Sequence, residues 1–466
     1  MAGAAAAAGG LYGLSRAGWL DFFSQDESER NPRQVKRVEY PAEKGRMLSL
    51  LGFGCMRFPI IGQNELNIDE ELTGKMFDYA IRHGVNYFDT AWMYMKGKSA
   101  AVVGRALEKY PRESLYIVNK MPAMGSWARN LDEAKSIFEK QLADCRTSYF
   151  DNYLCHNLTS WQQFKSRYLD GGILRYLQEL REKGAIRHLG FSFHGNTELL
   201  KRLLDFKEAR WECCMLMINA LDWNDDDEDI GNQSGRLSMR LSAPAGTHYR
   251  LATAAGLPVF AMEPLRGGTM VTLNRRAVRK LQAVHPDRSV ASWGLRFVAS
   301  LPKMQSVLSG MSRMSDVVDN VKTMSEFEPM TEEEHKVLKS ALADFKNQKT
   351  YPCTSCDYCM PCRYGVDIPK VFKIYNDASG DGALGSAGDG KDATIEEKRS
   401  FLVRYNNGLA PRTGAEHCIG CAKCESVCPQ HIVISKEMPV IAGLVGRLKK
   451  DVSPKRRKMA KEGKDA

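Results

Sequence analysis

Eight of the thirteen cysteines fall into two runs near the C-terminus: Cys353, Cys356, Cys359 and Cys362, then Cys418, Cys421, Cys424 and Cys428, the last followed by Pro429. This spacing obliges the region to fold around metal. The second run reads C-x2-C-x2-C-x3-C-P, in which three close thiolates hold one iron–sulfur cluster and the fourth reaches another. Two runs therefore predict two 4Fe-4S clusters. By the same crossed logic Cys353, Cys356 and Cys359 share one cluster with Cys428, while Cys418, Cys421 and Cys424 share the second with Cys362. The first run departs from the pattern: two residues precede its fourth cysteine, and Arg363 stands where proline would follow. The competing reading is zinc, which takes paired C-x2-C units and closes one tetrahedron per four thiolates.

A chain of 466 residues with 43% hydrophobic content can bury a large core and is long enough for two or three domains. It contains no run of about 18 apolar residues, so no membrane span is expected. The Ala/Gly-rich stretch Met1 to Gly10 lacks the charged and apolar regions of a secretory signal. An odd number of cysteines without an export signal fits a reducing compartment, and a cytoplasmic location is expected. The net charge of +10 invites a nucleic-acid reading, but Arg447 to Ala466 alone holds nine basic and three acidic residues, a net +6. A short basic tail is ordinarily a solvated end, and no RNA-binding aromatic motif accompanies it, so no nucleic acid is expected.

From Leu48 onward, short β-branched or aromatic runs alternate with amphipathic stretches, the pattern of a parallel sheet with crossover helices. Eight strands are predicted: Leu48 to Gly52, Val85 to Asp89, Leu115 to Lys120, Tyr149 to His156, Ile186 to Ser192, Cys213 to Asn219, Pro258 to Glu263 and Gln305 to Gly310. Helices are predicted over Glu70 to His83, Leu131 to Cys145, Leu174 to Lys183 and Ser289 to Ala299. Eight βα units predict an α/β fold, a (β/α)8 TIM barrel with its chemistry at the C-terminal strand ends. The alternative is a doubly wound open sheet, disfavoured because no G-x-G-x-x-G follows the first strand. Asp225 to Gly246 reads as a polar insertion on the catalytic face, a substrate-side loop or lid. Ala378 to Asp392 reads as a flexible loop between the cysteine runs, and Ile368 to Tyr375 as a supporting helix. The predicted organisation is a partly disordered extension over 1–46, the barrel over 47–345, a mainly helical ferredoxin-like cluster domain over 346–440 and a basic tail over 441–466.

Asp89 ends the second predicted strand with Thr90 and Ala91, and Tyr94 follows five residues after the aspartate. Lys120 ends the third strand and His156 the fourth, so all four project toward one face. Singly, each has an ordinary structural role: a buried ion pair, a core histidine, a packing tyrosine. Together the D-T-A-x-x-Y segment, the strand-end lysine and the strand-end histidine resemble the aldo/keto reductases. G-F-G-C-M-R at 52–57, G-F-S-F-H at 190–194, M-E-P-L-R-G-G at 262–268 and S-G-M-S at 309–312 look like that family's other strand-end motifs, in order. With the cysteine runs, the chain is similar to the branch bearing a C-terminal 4Fe-4S domain, over roughly residues 48–436.

The resemblance implies a catalytic tetrad of Tyr94, Lys120, Asp89 and His156. Reducing a carbonyl by hydride requires a proton donor on the developing alkoxide, and a tyrosine serves once a neighbouring ammonium favours its ionised form. It also implies an NAD(P)H site. Gly54, Cys55 and Met56 come from the first motif, Ser192 from G-F-S-F-H at the end of the fifth predicted strand, and Pro264, Leu265 and Gly267 from the next. Gly310, Ser312, Arg313 and Asn320 lie near the last strand, with Arg313 offering a bidentate phosphate contact. The family's carboxamide cradle is altered here, since Phe193 and Met215 stand where asparagine and glutamine are usual, and Met262 replaces a stacking tyrosine.

The function expected is hydride transfer between NAD(P)H and a small carbonyl or alcohol substrate, with two 4Fe-4S clusters relaying electrons. The alternative is an electron-transfer module whose barrel docks a redox partner. Hydride carries two electrons and each cluster accepts one, and no flavin-binding motif is visible to split the pair. A flavoprotein or ferredoxin partner is therefore expected to connect the clusters to other carriers.

Overall fold

Alternating β-branched and aromatic runs, each short and bounded by Gly, Pro or Asp, become strands buried on both faces, and the amphipathic stretches between them become the covering helices. In this computed structural model the described residues are 32–62, 64, 66–223, 245–273, 275–346, 350–385, 388–391 and 393–453. The chain packs as two compact units. Among the described residues, one comprises 32–223, 245–265 and 285–332; the other comprises 266–284 and 333–453.

The first unit opens with an antiparallel hairpin of β1 (Arg37–Glu39) and β2 (Met47–Ser49). The barrel strands follow: β3 (Leu51–Gly54), β4 (Tyr87–Asp89), β5 (Tyr116–Met121), β6 (Phe150–Leu158), β7 (Ile186–Phe193), β8 (Cys213–Met217), β9 (Val259–Met262) and β10 (Met304–Ser309). They close in the order β10-β3-β4-β5-β6-β7-β8-β9, every pair parallel. This is the expected (β/α)8 barrel.

The first predicted strand, Leu48 to Gly52, needs correction. Met47–Ser49 belongs to the hairpin and the barrel strand begins only at Leu51, because the chain turns at Leu50 to pass from one sheet to the other. The hairpin also falls partly inside the segment expected to be an extension. It carries Tyr40 and Leu48, both fully buried, into the aromatic barrel interior with Tyr87, Tyr116 and Phe260. Tyr40 meets the rings of Tyr116 and Phe260 edge-on at 5.8 Å each, the geometry that aromatic quadrupoles favour.

The helices start where their caps say. Asp69 caps Glu70–Arg82, Asn130 caps Leu131–Asp144, Asn196 caps Thr197–Asp205 and Ser289 caps Val290–Ala299, each side chain accepting a first-turn backbone N–H. The predicted insertion 225–246 lies outside the described residues except for its end, where Ala245 and Gly246 begin helix Ala245–Ala254.

The second unit is mainly helical. Ile368–Gly380, Ile395–Gly408 and Ile434–Asp451 enclose a core that includes Tyr351, Phe372, Tyr375, Phe401 and Met438, against which six of the eight run cysteines pack. The expected flexible loop from Ala378 is a second correction. Ala378 to Gly380 complete the helix, and Ala378, Ala383 and Leu384 are buried in this core, so apolar burial holds what its Gly/Ser content suggested would be loose. The boundary expected at 440 falls inside helix Ile434–Asp451, whose apolar side continues to Leu448. Among the described residues no helix is long and apolar enough to cross a membrane.

Candidate functional site

Parallel pairing sets the C-terminal ends of β4, β5 and β6 side by side, with Asp89 opposite Val118 and Lys120 opposite Leu154. Lys120 and Asp89 are 1% and 2% exposed. The Lys120 Nζ donates to Asp89 Oδ1 at 2.5 Å, to the Thr90 carbonyl at 2.9 Å and to the Tyr94 hydroxyl at 3.4 Å. It also lies 4.8 Å from the centre of the Tyr94 ring. Burial pushes the Lys120 ammonium down and the Asp89 carboxyl up, and the contact between the two opposes both shifts. Thr90, the middle residue of the D-T-A segment, contributes its backbone carbonyl to Lys120, a role that no side-chain type announces.

His156, 2% exposed, meets the Tyr94 ring edge-on at a centroid distance of 6.2 Å. Burial, with Lys120 and His194 nearby, pushes its pKa well below the usual imidazole value, so it is neutral at physiological pH. Its backbone N–H donates to Tyr168 Oη, which in turn donates to the Met121 carbonyl and ties the β5 and β6 ends together. Tyr94 follows β4 in a short helical turn, with Met95 and Lys96 in left-handed backbone, φ 50° and 53°. The structure thus brings the four predicted tetrad residues together.

The predicted nucleotide contacts are more dispersed. Gly54 ends β3, where an added Cβ would approach the Ser309 carbonyl to 3.2 Å. Cys55 is buried and its N–H donates to the Asp89 carbonyl at 2.8 Å; Met56 is half-buried. Ser192, at the end of β7, accepts the Asn157 backbone N–H at 2.8 Å. Pro264 and Leu265 follow β9 in the first unit. Gly267, at φ 61°, lies in the second unit, where an added Cβ would come within 2.6 Å of Thr354 Cα, so its lack of a side chain serves packing there. Past β10, Gly310 has room beside Arg57, and Asn320 donates to Ser309 Oγ at 2.8 Å. Asp316 accepts the backbone N–H groups of Ser312 and Arg313 at the start of helix Met314–Ser325, and holds the Arg313 guanidinium at 2.8 and 3.1 Å. Arg313 would have to leave this carboxylate to meet a phosphate.

In the second unit the two cysteine runs share one backbone device. The residues two and four positions after the first cysteine are left-handed in both: Ser355 (φ 52°) and Asp357 (φ 63°) in one, Gly420 (φ 76°) and Ala422 (φ 57°) in the other. Left-handed residues at these places curl each run so that successive thiols can face one centre. Around the runs, Asn376 bonds both the N–H and the C=O of Tyr351 at 2.7 Å, and Tyr405 Oη takes the Ala415 N–H at 2.7 Å.

Cys353, Cys356, Cys359 and Cys428 line one concavity with Thr354, Ile368 and Phe372. Burial, with Cys356, Cys353 and Cys428 beside it, pushes the Cys359 thiol up. Three backbone N–H groups, from Ile432, Gln430 and His431, point at the Cys428 sulfur. Cys424 is pushed up to about 11, chiefly by burial, with Cys418 and Cys362 among its neighbours. The four cysteines of the first crossed set thus line one concavity, and of the second set Cys362, Cys418 and Cys424 are neighbours, while Cys421 is exposed. Among the described residues no three His, Cys, Asp or Glu side chains converge tightly enough for a single ion. Thiols gathered around a wider space, with backbone N–H groups aimed at sulfur, fit a cluster better than a zinc tetrahedron.

Comparison with known proteins gives these two regions their family. The aldo/keto reductase family pattern matches residues 50–343, and a 4Fe-4S dicluster domain matches residues 352–433. A Bacillus subtilis (strain 168) protein described as uncharacterized oxidoreductase YqkF is 24% identical over 306 residues, covering 63% of this chain and 92% of that protein. An aldo-keto reductase from Klebsiella pneumoniae, solved in complex with NADPH, is 19% identical with a TM-score of 0.50, over 66% of this chain and 94% of its own. The thermostable aldo-keto reductase Tm1743, solved with the inhibitor epalrestat, is 22% identical with the same score, over 66% of this chain and 100% of its own. The chain belongs to the aldo/keto reductase family: it is an oxidoreductase of that type whose barrel is followed by a 4Fe-4S dicluster domain.

Proposed function

We propose that the protein transfers hydride between NAD(P)H and a carbonyl or alcohol substrate at the strand ends of its barrel, with two 4Fe-4S clusters serving one-electron exchange. The observation that carries the first part is the single Lys120 ammonium in contact with both the Asp89 carboxylate and the Tyr94 hydroxyl. In the reducing direction NAD(P)H, when bound, supplies the hydride that reaches the carbonyl carbon. Tyr94 gives its phenolic proton to the developing alkoxide oxygen, and Lys120 stabilises the resulting phenolate. Asp89 keeps Lys120 charged in a buried setting. His156, neutral through its burial, holds the carbonyl oxygen toward Tyr94 by donating an imidazole N–H. Ser192, Gly310, Ser312, Arg313 and Asn320 are among the residues that would hold the nucleotide.

The crossed cysteine sets support two cluster sites: Cys353, Cys356, Cys359 and Cys428 at one, Cys362, Cys418, Cys421 and Cys424 at the other. Clusters bound there supply one-electron relay. Cys421 is exposed and Ile419 beside it is 62% exposed, which favours electron exchange with an external carrier such as a flavoprotein or a ferredoxin.

Tyr94→Phe and Lys120→Met test the tetrad. Both should lower carbonyl reduction by roughly 10²–10⁴-fold while nucleotide affinity stays near the parent value, because each group acts on the transition state. Parent-like rates in both variants, on a carbonyl the parent reduces, would reject the assignment.

A further inference from the structure

We infer that Gln141, on the helix Leu131–Asp144 outside the barrel, is a positioning residue for the proposed hydride transfer: its side-chain amide fixes the Lys120 backbone at the end of β5, and with it the point from which the lysine reaches Asp89 and Tyr94. The inference rests on the tetrad reading and adds to it a residue that touches none of the reacting atoms.

Side chains alternate along a strand, so the residue before an inward lysine faces outward. Tyr116, Val118 and Leu154 belong to the barrel interior, and Lys120 shares their parity. Asn119 and, on β6, Tyr153 therefore face the covering helix. The layer between a parallel sheet and its helices is ordinarily apolar. Here it holds Asn119, Gln141 and Tyr153, all fully buried. The rings of Phe138 and Phe150 stand 5.0 and 5.5 Å from that of Tyr153. Polar groups in such a layer are costly unless every one of them is bonded.

These groups are bonded, and the bonds converge on Lys120. Gln141 Nε2 donates to Asn119 Oδ1 at 2.8 Å and to the Lys120 carbonyl at 2.9 Å, while its Oε1 accepts the Tyr153 hydroxyl. A carbonyl can only accept, which fixes the amide with its nitrogen toward Lys120. Asn119 Oδ1 also accepts the Lys120 backbone N–H at 2.9 Å. The ladder explains why side chains are needed there. β4 pairs with β5 only as far as Val118, opposite Asp89, and the Thr90 N–H makes a last bond to the Val118 carbonyl at 2.9 Å. The chain then leaves for Tyr94, so Lys120 lies beyond the support of β4, and Gln141 and Asn119 take its place.

Position matters because the reach of the lysine is tight. Its Nζ lies 2.5 Å from Asp89 Oδ1 but 3.4 Å from the Tyr94 hydroxyl, near the outer limit of a hydrogen bond. A small slip of the strand end breaks the contact to tyrosine first, while the closer ion pair survives. Tyr153 separates this role from packing, since it joins the same network at the Gln141 oxygen, the end of the amide that does not meet Lys120.

The test is a double-mutant cycle on the intact, cluster-loaded protein, following reduction of a panel of aliphatic and aromatic aldehydes by NADH and NADPH. Gln141→Met fills a similar volume without the donors, and Gln141→Asn keeps an amide that is one methylene too short to reach the Lys120 carbonyl. Each should lower kcat about tenfold while KM and nucleotide affinity stay near the parent values. In a Lys120→Met background neither should lower kcat further, because a residue that acts through Lys120 then has nothing to position. Tyr153→Phe disturbs the same network away from Lys120 and should keep kcat within about twofold of the parent. Losses that add in full to that of Lys120→Met, or a Tyr153→Phe loss as large as that of Gln141→Met, would show a general packing role and overturn the inference. Parent-like kcat in both Gln141 variants, with Lys120→Met impaired, would overturn it and leave the tetrad intact. Parent-like kcat in Lys120→Met, or a parent that reduces none of the aldehydes, would overturn both.

Discussion

Two buried histidines contribute to the pH behaviour of the barrel. His248, on helix Ala245–Ala254, packs its ring against Phe193 at 5.1 Å, and burial lowers its pKa to about 4. His156 is pushed down for the same reason. Both stay neutral in the folded protein where an unfolded chain, with histidine near 6.5, would already take up protons. Their contribution is fully present above the unfolded value and is lost as pH falls, because the unfolded state binds more protons in that window. Between about pH 6.5 and 4, His248 alone should cost about 1.4 kcal/mol of stability for each unit of acidification. Urea unfolding of the barrel, followed by tryptophan fluorescence at about pH 7, 6 and 5, should show this slope, and His248→Gln should reduce it by about that amount. Identical slopes would mean that His248 is protonated in the folded state as well. Neither its burial nor that of His156 is legible in a sequence, since each depends on what the neighbouring strands and helices place over the ring.

At the scale of elements, the two cysteine runs are curled by the same left-handed pair of positions, which argues for two equivalent loops rather than one site and a vestige. Protein purified without oxygen should therefore contain about eight irons and eight acid-labile sulfides per chain. Cys424→Ser should retain about four of each, since Cys424 adjoins Cys418 and Cys362 and not the set around the concavity. Stoichiometric zinc without labile sulfide would reject the clusters, and full retention in the variant would reject the crossed assignment. The spacing of the runs was readable because thiolate geometry dictates it. The loop expected from Ala378 was not, because Gly and Ser content hid two buried residues, Ala383 and Leu384. A bulge at His156–Asn157, between the pairs Cys155 with Phe191 and Leu158 with Phe193, was equally hidden. It arises from a mismatch between β6 and β7, and a single sequence shows strands but not their register.

At the scale of the whole molecule, the strand order of the barrel follows from eight apolar runs separated by amphipathic ones, and strand-end residues fall on one face as a matter of topology. That is why Asp89, Tyr94, Lys120 and His156 could be placed on one face from the sequence, while their roles as a tetrad came from the resemblance to the aldo/keto reductases. The hairpin carrying Tyr40 could not, since a three-residue strand leaves no periodicity to read. What joins the two units chemically is a mismatch of currency: hydride moves electrons in pairs, and clusters accept them singly. The central claim is that the barrel itself performs hydride transfer, and isotopic labelling tests it most directly. NADH and NADPH carrying deuterium at the transferable position of the ring are mixed anaerobically with the protein and a panel of aldehydes, and the alcohol products are analysed by mass spectrometry. The account predicts one deuterium on the former carbonyl carbon of each alcohol formed, with incorporation lost in Tyr94→Phe. Consumption of the labelled nucleotide with bleaching of the clusters and no deuterium in any alcohol would contradict it, and would make the barrel an entry port for single electrons instead.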